Sequence, residues 1–192
     1  MNLAQISTTQ MAVAVAVIVI VAASIGIWLF IRKRRTEKLR TQFGGAEYTR
    51  AVKEGGSQRK AEAALDERTA RVEGLHIQPL SPTDRARFVE SWKKVQARFV
   101  DGPGGAVTDA DQLLGDVMSV RGYPVTDFEQ RAADISVDHP LVLENYRAAH
   151  QSALRQTRGQ ANTEDLRQAM IHYRTLFEEL VGPAELAAAK SA

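Results

Sequence analysis

Residues Met11 to Ile31, MAVAVAVIVIVAASIGIWLFI, form twenty-one consecutive residues without a charge, and Arg32, Lys33, Arg34 and Arg35 follow at once. As a helix rising 1.5 Å per residue, such a run spans roughly 30 Å, the thickness of a bilayer's hydrocarbon core. The reading is a retained single transmembrane helix. A cleaved signal peptide would need a basic n-region and a shorter apolar stretch. Neither is present. A buried helix of a soluble protein is the remaining alternative.

The flanks give this segment a direction. The preceding residues MNLAQISTTQ contain no Lys or Arg, whereas Arg32 to Arg40 hold six basic residues against one acid, Glu37. Basic flanks stay on the cytoplasmic side, which predicts an outward N-terminus and a cytoplasmic C-terminal part. Trp28 near the basic end suits a membrane interface. Ala12 and Ala16, then Ala22 and Gly26, have the small-xxx-small spacing through which spans self-associate, so a homo-oligomer is one expectation.

Charge is divided along the chain. From Arg32 to Lys60 there are ten basic and three acidic residues, a balance of +7, and Ala61 to Ala192 carries −5. The basic stretch, with Arg32, Lys33, Arg34, Arg35, Lys38 and Arg40 nearest the span, is placed to meet anionic lipid headgroups. The acidic remainder argues against a nucleic-acid-binding face. The chain has no cysteine, which excludes disulfides, thiolate metal sites, a catalytic Cys and a lipid-modified Cys.

Beyond the span the pattern is helical throughout. Gly44–Gly45 and Gly55–Gly56 interrupt the juxtamembrane region and predict a flexible stalk over 32–74. Within it, Ala61, Ala64, Leu65, Arg68 and Val72 share one face of a polar helix. Ser81-Pro82-Thr83-Asp84 starts a helix to about Val100 with Phe88, Trp92, Val95 and Phe99 as a core stripe, closed by Asp101-Gly-Pro-Gly-Gly105. Thr108 is expected to cap the next helix, which buries Leu113, Leu114, Val117 and Met118 and stops at Gly122. Thr126 and Glu129 are spaced as a capping box. A helix from His139-Pro140 to about Arg158, and another from Asn162 or Thr163 through Leu166, Met170, Tyr173, Phe177 and Leu180, should pair as an antiparallel hairpin. The expected fold is all-α: tail 1–10, transmembrane helix 11–31, stalk 32–74, a small cytoplasmic helical bundle over 75–182, and a flexible tail 183–192.

The segments QFGGAEYTRAV, LHIQPLS, VQARFVDGPGGAV, VMSVRGYPVTDFEQRAADISVDHPLVLENYRAAH and TEDLRQAMIHYRTLFEEL carry a resemblance. Over Phe43 to Val181 the chain resembles an uncharacterised family of bacterial proteins, many of them expected to be membrane-anchored. The resemblance implies a bacterial source and brings no established activity to transfer; together with the anchor, it sets the expected location as the bacterial inner membrane.

Two residue groups are candidates for function. His139, Tyr146 and His150 fall within about 20° of one helix face, and His172 on the following helix, with Glu144 nearby, could join them. Neutral imidazoles beside a carboxylate suit a divalent metal, a ligand or acid–base work. HExxH and ExxH signatures are absent, so the plainer roles are a cap for His139, a bundle contact for His150 and surface exposure for His172. The second group, Arg121, Tyr123, Asp127 and Arg131, lies on a connection and forms a candidate surface for an unidentified protein partner. The Gly102–Gly105 stretch lacks the Lys-Ser/Thr of a phosphate loop, and no GxSxG occurs. No cofactor is indicated. The sequence therefore favours a membrane-tethered interaction or scaffold module over an enzyme; the alternative is a metal- or ligand-dependent enzyme or sensor built on the histidines.

Overall fold

The computed structural model describes residues 8–124 and 127–182, with side chains from Met11 onward. Its seven elements are all helices, and no strand occurs among the described residues. The chain divides into two compact units, Met1–Gln42 and Phe43–Ala192.

The first unit is carried by α1, Thr8–Gly55, whose apolar part is long and apolar enough to cross a membrane, with a mean hydropathy of 2.8 and none of that window buried. The large apolar side chains of that window are exposed, Ile18 being 66% exposed and Ile20 64%. Beyond it, Arg32 and Arg34 lay their guanidiniums over Trp28 and Phe30, one helical turn back. Each pair is spaced i, i+4, so helix geometry alone brings charge and ring together.

The second unit starts at Phe43, where the sequence led us to expect a stalk reaching to residue 74. Gly44 does break the helix, with φ 70° and ψ 162°, but the chain resumes helically to Gly55. Phe43, Tyr48 and Ala51 are buried there, as are Ala61, Leu65 and Val72 of α2, Gln58–Glu73. Apart from the exposed Ala64, the stripe read on α2 is thus a packed face, and it rests chiefly on α5. The stalk reading undervalued it because two of its five positions are alanines and one is Arg68, which bring little apolar area per residue.

The remaining helices are α3 (Pro82–Asp101), α4 (Pro103–Arg121), α5 (Phe128–Asp138), α6 (Pro140–Thr157) and α7 (Thr163–Val181). Ser81 caps α3 by accepting from the Asp84 N–H, and Asn162 forms a capping box with Asp165 at the start of α7. Helix α4 departs from expectation by starting at Pro103 instead of Thr108. Proline supplies a preset φ and no N–H that needs a partner, so it opens a helix at once. Thr108 then lies inside, its hydroxyl donating to the Gly104 carbonyl. Gly102 is both the last cap of α3 and the first of α4, and His139 does the same between α5 and α6. The cap expected at Thr126 lies outside the described residues; Asp127 caps α5 by accepting from the Gln130 N–H.

Helices α6 and α7 pack along their length in opposite directions: His139 meets Glu179, Asn145 meets His172, and Arg155 meets Asp165. With α3 and α4 they enclose the core, in which Trp92 stacks on Phe177 at a centroid distance of 4.8 Å and Leu114, Val117, Leu143 and Leu176 are essentially sealed. Gly122 ends α4 with φ 102°, and the Gln78 N–H donates to the Arg121 carbonyl, which ties the 74–80 connection onto the same point. A Cβ at Gly122 would collide with the His76 carbonyl oxygen. Gly122→Ala should therefore destabilise the unit by more than 2 kcal/mol, roughly, combining left-handed strain with a backbone clash. Gly159→Ala, also at positive φ but with open space around it, should cost only the strain. Urea unfolding of both variants followed by circular dichroism tests the difference; equal losses would contradict the clash.

Candidate functional site

The connection read from the sequence as a docking surface is largely built inward. Tyr123 is 3% exposed, and its hydroxyl donates to Asp138 at 2.9 Å. Burial, followed by the charge of Asp138, pushes its phenol well above the ordinary range. Arg121 donates to the Leu180 carbonyl at 3.1 Å and sits over the Tyr123 ring. Arg131 turns toward Asp111, with Nη2 3.9 Å from Oδ2. Asp127 alone of the four is exposed, and it is a helix cap. Aromatic and charged residues on a short connection look alike whether they recruit a partner or close a core; here they close the core.

The histidines do not converge either. His139 pairs with Glu179 (2.9 Å) and lies 3.5 Å from Arg121. His172 is half-buried against Asn145 (3.0 Å), not a surface residue. His150 stacks flat on Phe128 at 3.6 Å, and Glu144 is exposed. Among the described residues no group of three or more His, Asp or Glu side chains is arranged to hold a metal ion. His139 stands at the cap of α6, outside its helical turns, and each ring takes its own partner from another element.

Around His150 the interior holds a polar centre that spacing alone did not reveal. Asp111 accepts from the Tyr173 hydroxyl at 3.1 Å and lies 3.9 Å from His150 Nδ1. Gly115 leaves the room that Arg131 fills, since a Cβ there would stand 3.0 Å from its Nη1. Tyr146, fully buried, sits edge-on to Tyr173, and burial raises both phenols far above their usual range. For Asp111, burial works against ionisation, but His150, Arg131 and the Tyr173 hydroxyl outweigh it and hold the carboxyl below its ordinary value. A depressed carboxyl contributes stability above its unfolded pKa, and that contribution disappears as pH falls through the folded value. Asp111→Asn should accordingly lower stability most near neutrality, with the deficit closing as pH falls below about 4. Thermal unfolding across pH checks this; a deficit independent of pH would show that the carboxylate charge contributes nothing.

A second charged assembly joins the end of α1, α2, α5 and α6. Glu47, 5% exposed, receives Arg68 at 2.7 Å and lies 3.6 Å from Arg147. Arg147 also donates to Glu129 at 2.8 Å, and this contact, ahead of burial, sets Glu129 below the usual carboxylate range. Asp134, 1% exposed, accepts from Arg71 Nε and Nη2 at 3.0 and 2.8 Å and from Gln130 at 2.9 Å. Arg68, Arg71, Arg147, Glu129 and Gln130 of this assembly border a cleft of about 500 Å³. Between α3 and α7, Trp92, Phe99, Met170 and Ile171 form an apolar notch of about 180 Å³ flanked by Arg167 and Arg174. The signal for the charged assembly was present in the sequence as Asp134 set among Ala132, Ala133 and Ile135, and Arg68 on the α2 stripe.

No protein family, curated protein or solved structure matches this chain. Its chemistry therefore rests on its own geometry.

Removing Arg71 strands a buried carboxylate, whereas removing both partners does not. Arg71→Ala should cost about 3 kcal/mol, the low end for such pairs because Arg71 is 37% exposed. Arg71→Leu combined with Asp134→Leu should recover most of it. A double variant no more stable than Arg71→Ala in urea titration would refute the stranded-charge account.

Proposed function

We propose that this chain is a single-pass protein of a bacterial inner membrane, with its N-terminus outside and its second unit in the cytoplasm as an interaction or scaffold module. The observation that carries the reading is the first part of α1. A window of mean hydropathy 2.8 with none of it buried has no protein interior to satisfy it, and a bilayer is the solvent that such a surface requires. The exposed Arg32, Lys33, Arg34, Arg35, Lys38 and Arg40 lie next to it, where the positive-inside rule places them at the cytoplasmic face and anionic headgroups attract them.

The interaction role is supported by a well-packed unit that carries two recessed faces on its surface. A protein partner has two faces to engage: the α3–α7 notch, where Trp92 and Met170 line an opening of one side chain's size, and the charged cleft beside α2. Self-association through the span is compatible with either.

Protease treatment of spheroplasts carrying a C-terminal tag tests the topology. The tag should survive until the membrane is permeabilised, and intact-mass analysis should find Met11–Ile31 still attached. Replacing Arg32, Lys33, Arg34 and Arg35 with Gln should lose orientation control and expose a fraction of the tag. A tag digested in intact spheroplasts, or a chain lacking its first thirty or so residues, would overturn the proposal.

A further inference from the structure

The charged cleft of the second unit has a polarity of its own. Its deeper wall is made by Arg68, Arg71 and Arg147, which are 17%, 37% and 13% exposed. Behind them stand the buried carboxylates of Glu47 and Asp134. These five groups leave the wall at +1. The bonds they make do not exhaust the guanidiniums: Arg68 donates to Glu47 through Nη1, and Arg71 to Asp134 through Nε and Nη2. Each guanidinium carries five N–H donors in a fixed fork, so further donors remain on both.

The mouth has the opposite sign. Glu54 and Glu129 are 54% and 65% exposed, and Glu67 is exposed beside them. Glu129 also accepts from Arg147 of the wall, and Arg50, which reaches Glu54 and Glu129, offsets one of these charges, while Asp127 adds another carboxylate to the lining, so the mouth stays negative. A cation alone would meet the guanidinium wall, and a simple anion would have to pass the carboxylates. The arrangement suits a molecule that carries both signs, with its anionic end inward and its cationic end at the mouth.

We infer that this cleft is a binding site for a zwitterionic small molecule of the α-amino-acid or dipeptide class. The carboxylate of such a ligand takes the remaining donors of Arg68 and Arg71, for which the planar fork is the matching partner. Its ammonium lies against Glu67 and Glu54. The volume of about 500 Å³ falls within the range of small-molecule sites and exceeds what a single amino acid fills, which leaves space for a side chain or second residue. All the groups belong to one compact unit, so the site stands independently of the membrane topology proposed above.

The test uses the full-length chain in detergent, with thermal unfolding and calorimetric titration against the twenty amino acids, a set of dipeptides, inorganic phosphate and spermidine. At least one zwitterion should raise the melting temperature and titrate to saturation, while phosphate and spermidine do neither. Glu67→Gln removes a carboxylate at the mouth without touching the buried ion pairs, so the variant should fold as the parent does and bind about tenfold more weakly, equivalent to 1.4 kcal/mol. Arg71→Lys retains the charge that Asp134 needs but loses the fork, and should weaken binding at least as much. Absence of binding by every zwitterion would overturn the inference. So would equal stabilisation by phosphate or spermidine, or a zwitterion whose affinity is unchanged in both variants.

Discussion

Asp134 carries its carboxylate into the apolar face of α5, between Ala133 and Ile135, with 1% of its surface left to solvent. A charge so placed is tolerated only if it is paired and hydrogen-bonded, and Arg71 supplies both from α2 through two donors. The arrangement of the second unit's N-terminal half follows from this demand. Helix α2 is held on α5, and Glu47 from the end of α1 is drawn in behind it by Arg68. A short alanine-rich helix buries too little apolar area to dock firmly on that account alone. Directional ion pairs fix its register instead.

The core of α3, α4, α6 and α7 follows a different logic. There, apolar stripes at helical spacing supply the area, and the aromatic contact of Trp92 with Phe177 joins α3 to α7 at the centre. Polar groups that enter this core, such as Asp111, come with partners from three other helices: Arg131 on α5, His150 on α6 and Tyr173 on α7. The unit therefore combines an apolar half with a half held by charge, and its cleft lies in the charged half.

What the sequence revealed tracks the range of the forces involved. Caps at Ser81 and Asn162 and the stop at Gly122 are local events, decided within one turn, and they appear where the residues announce them. The stripe Phe88, Trp92, Val95 is likewise legible, because period 3.6 is written along a single helix. The start of α4 was misjudged because Gly-Pro-Gly-Gly reads as a breaker, although its proline is a good first helical residue. The surroundings of the candidate residues were not legible for a deeper reason. Whether Tyr123 faces solvent or Asp138, and whether His150 meets His172 or Phe128, depends on how separate helices are rotated against each other. No spacing within one helix contains that angle.

The joints between helices carry a consequence of their own. Gly102 alone separates α3 from α4, and His139 alone separates α5 from α6, each residue closing one helix while opening the next. Such joints hold no slack. One residue inserted into a helix turns everything beyond it by about 100°, and a joint of one residue has no spare chain in which to absorb the turn. Length variation should therefore be confined to the longer connections, around 74–80 and 158–162, while the two single-residue joints act as fixed points that set the register of the whole bundle.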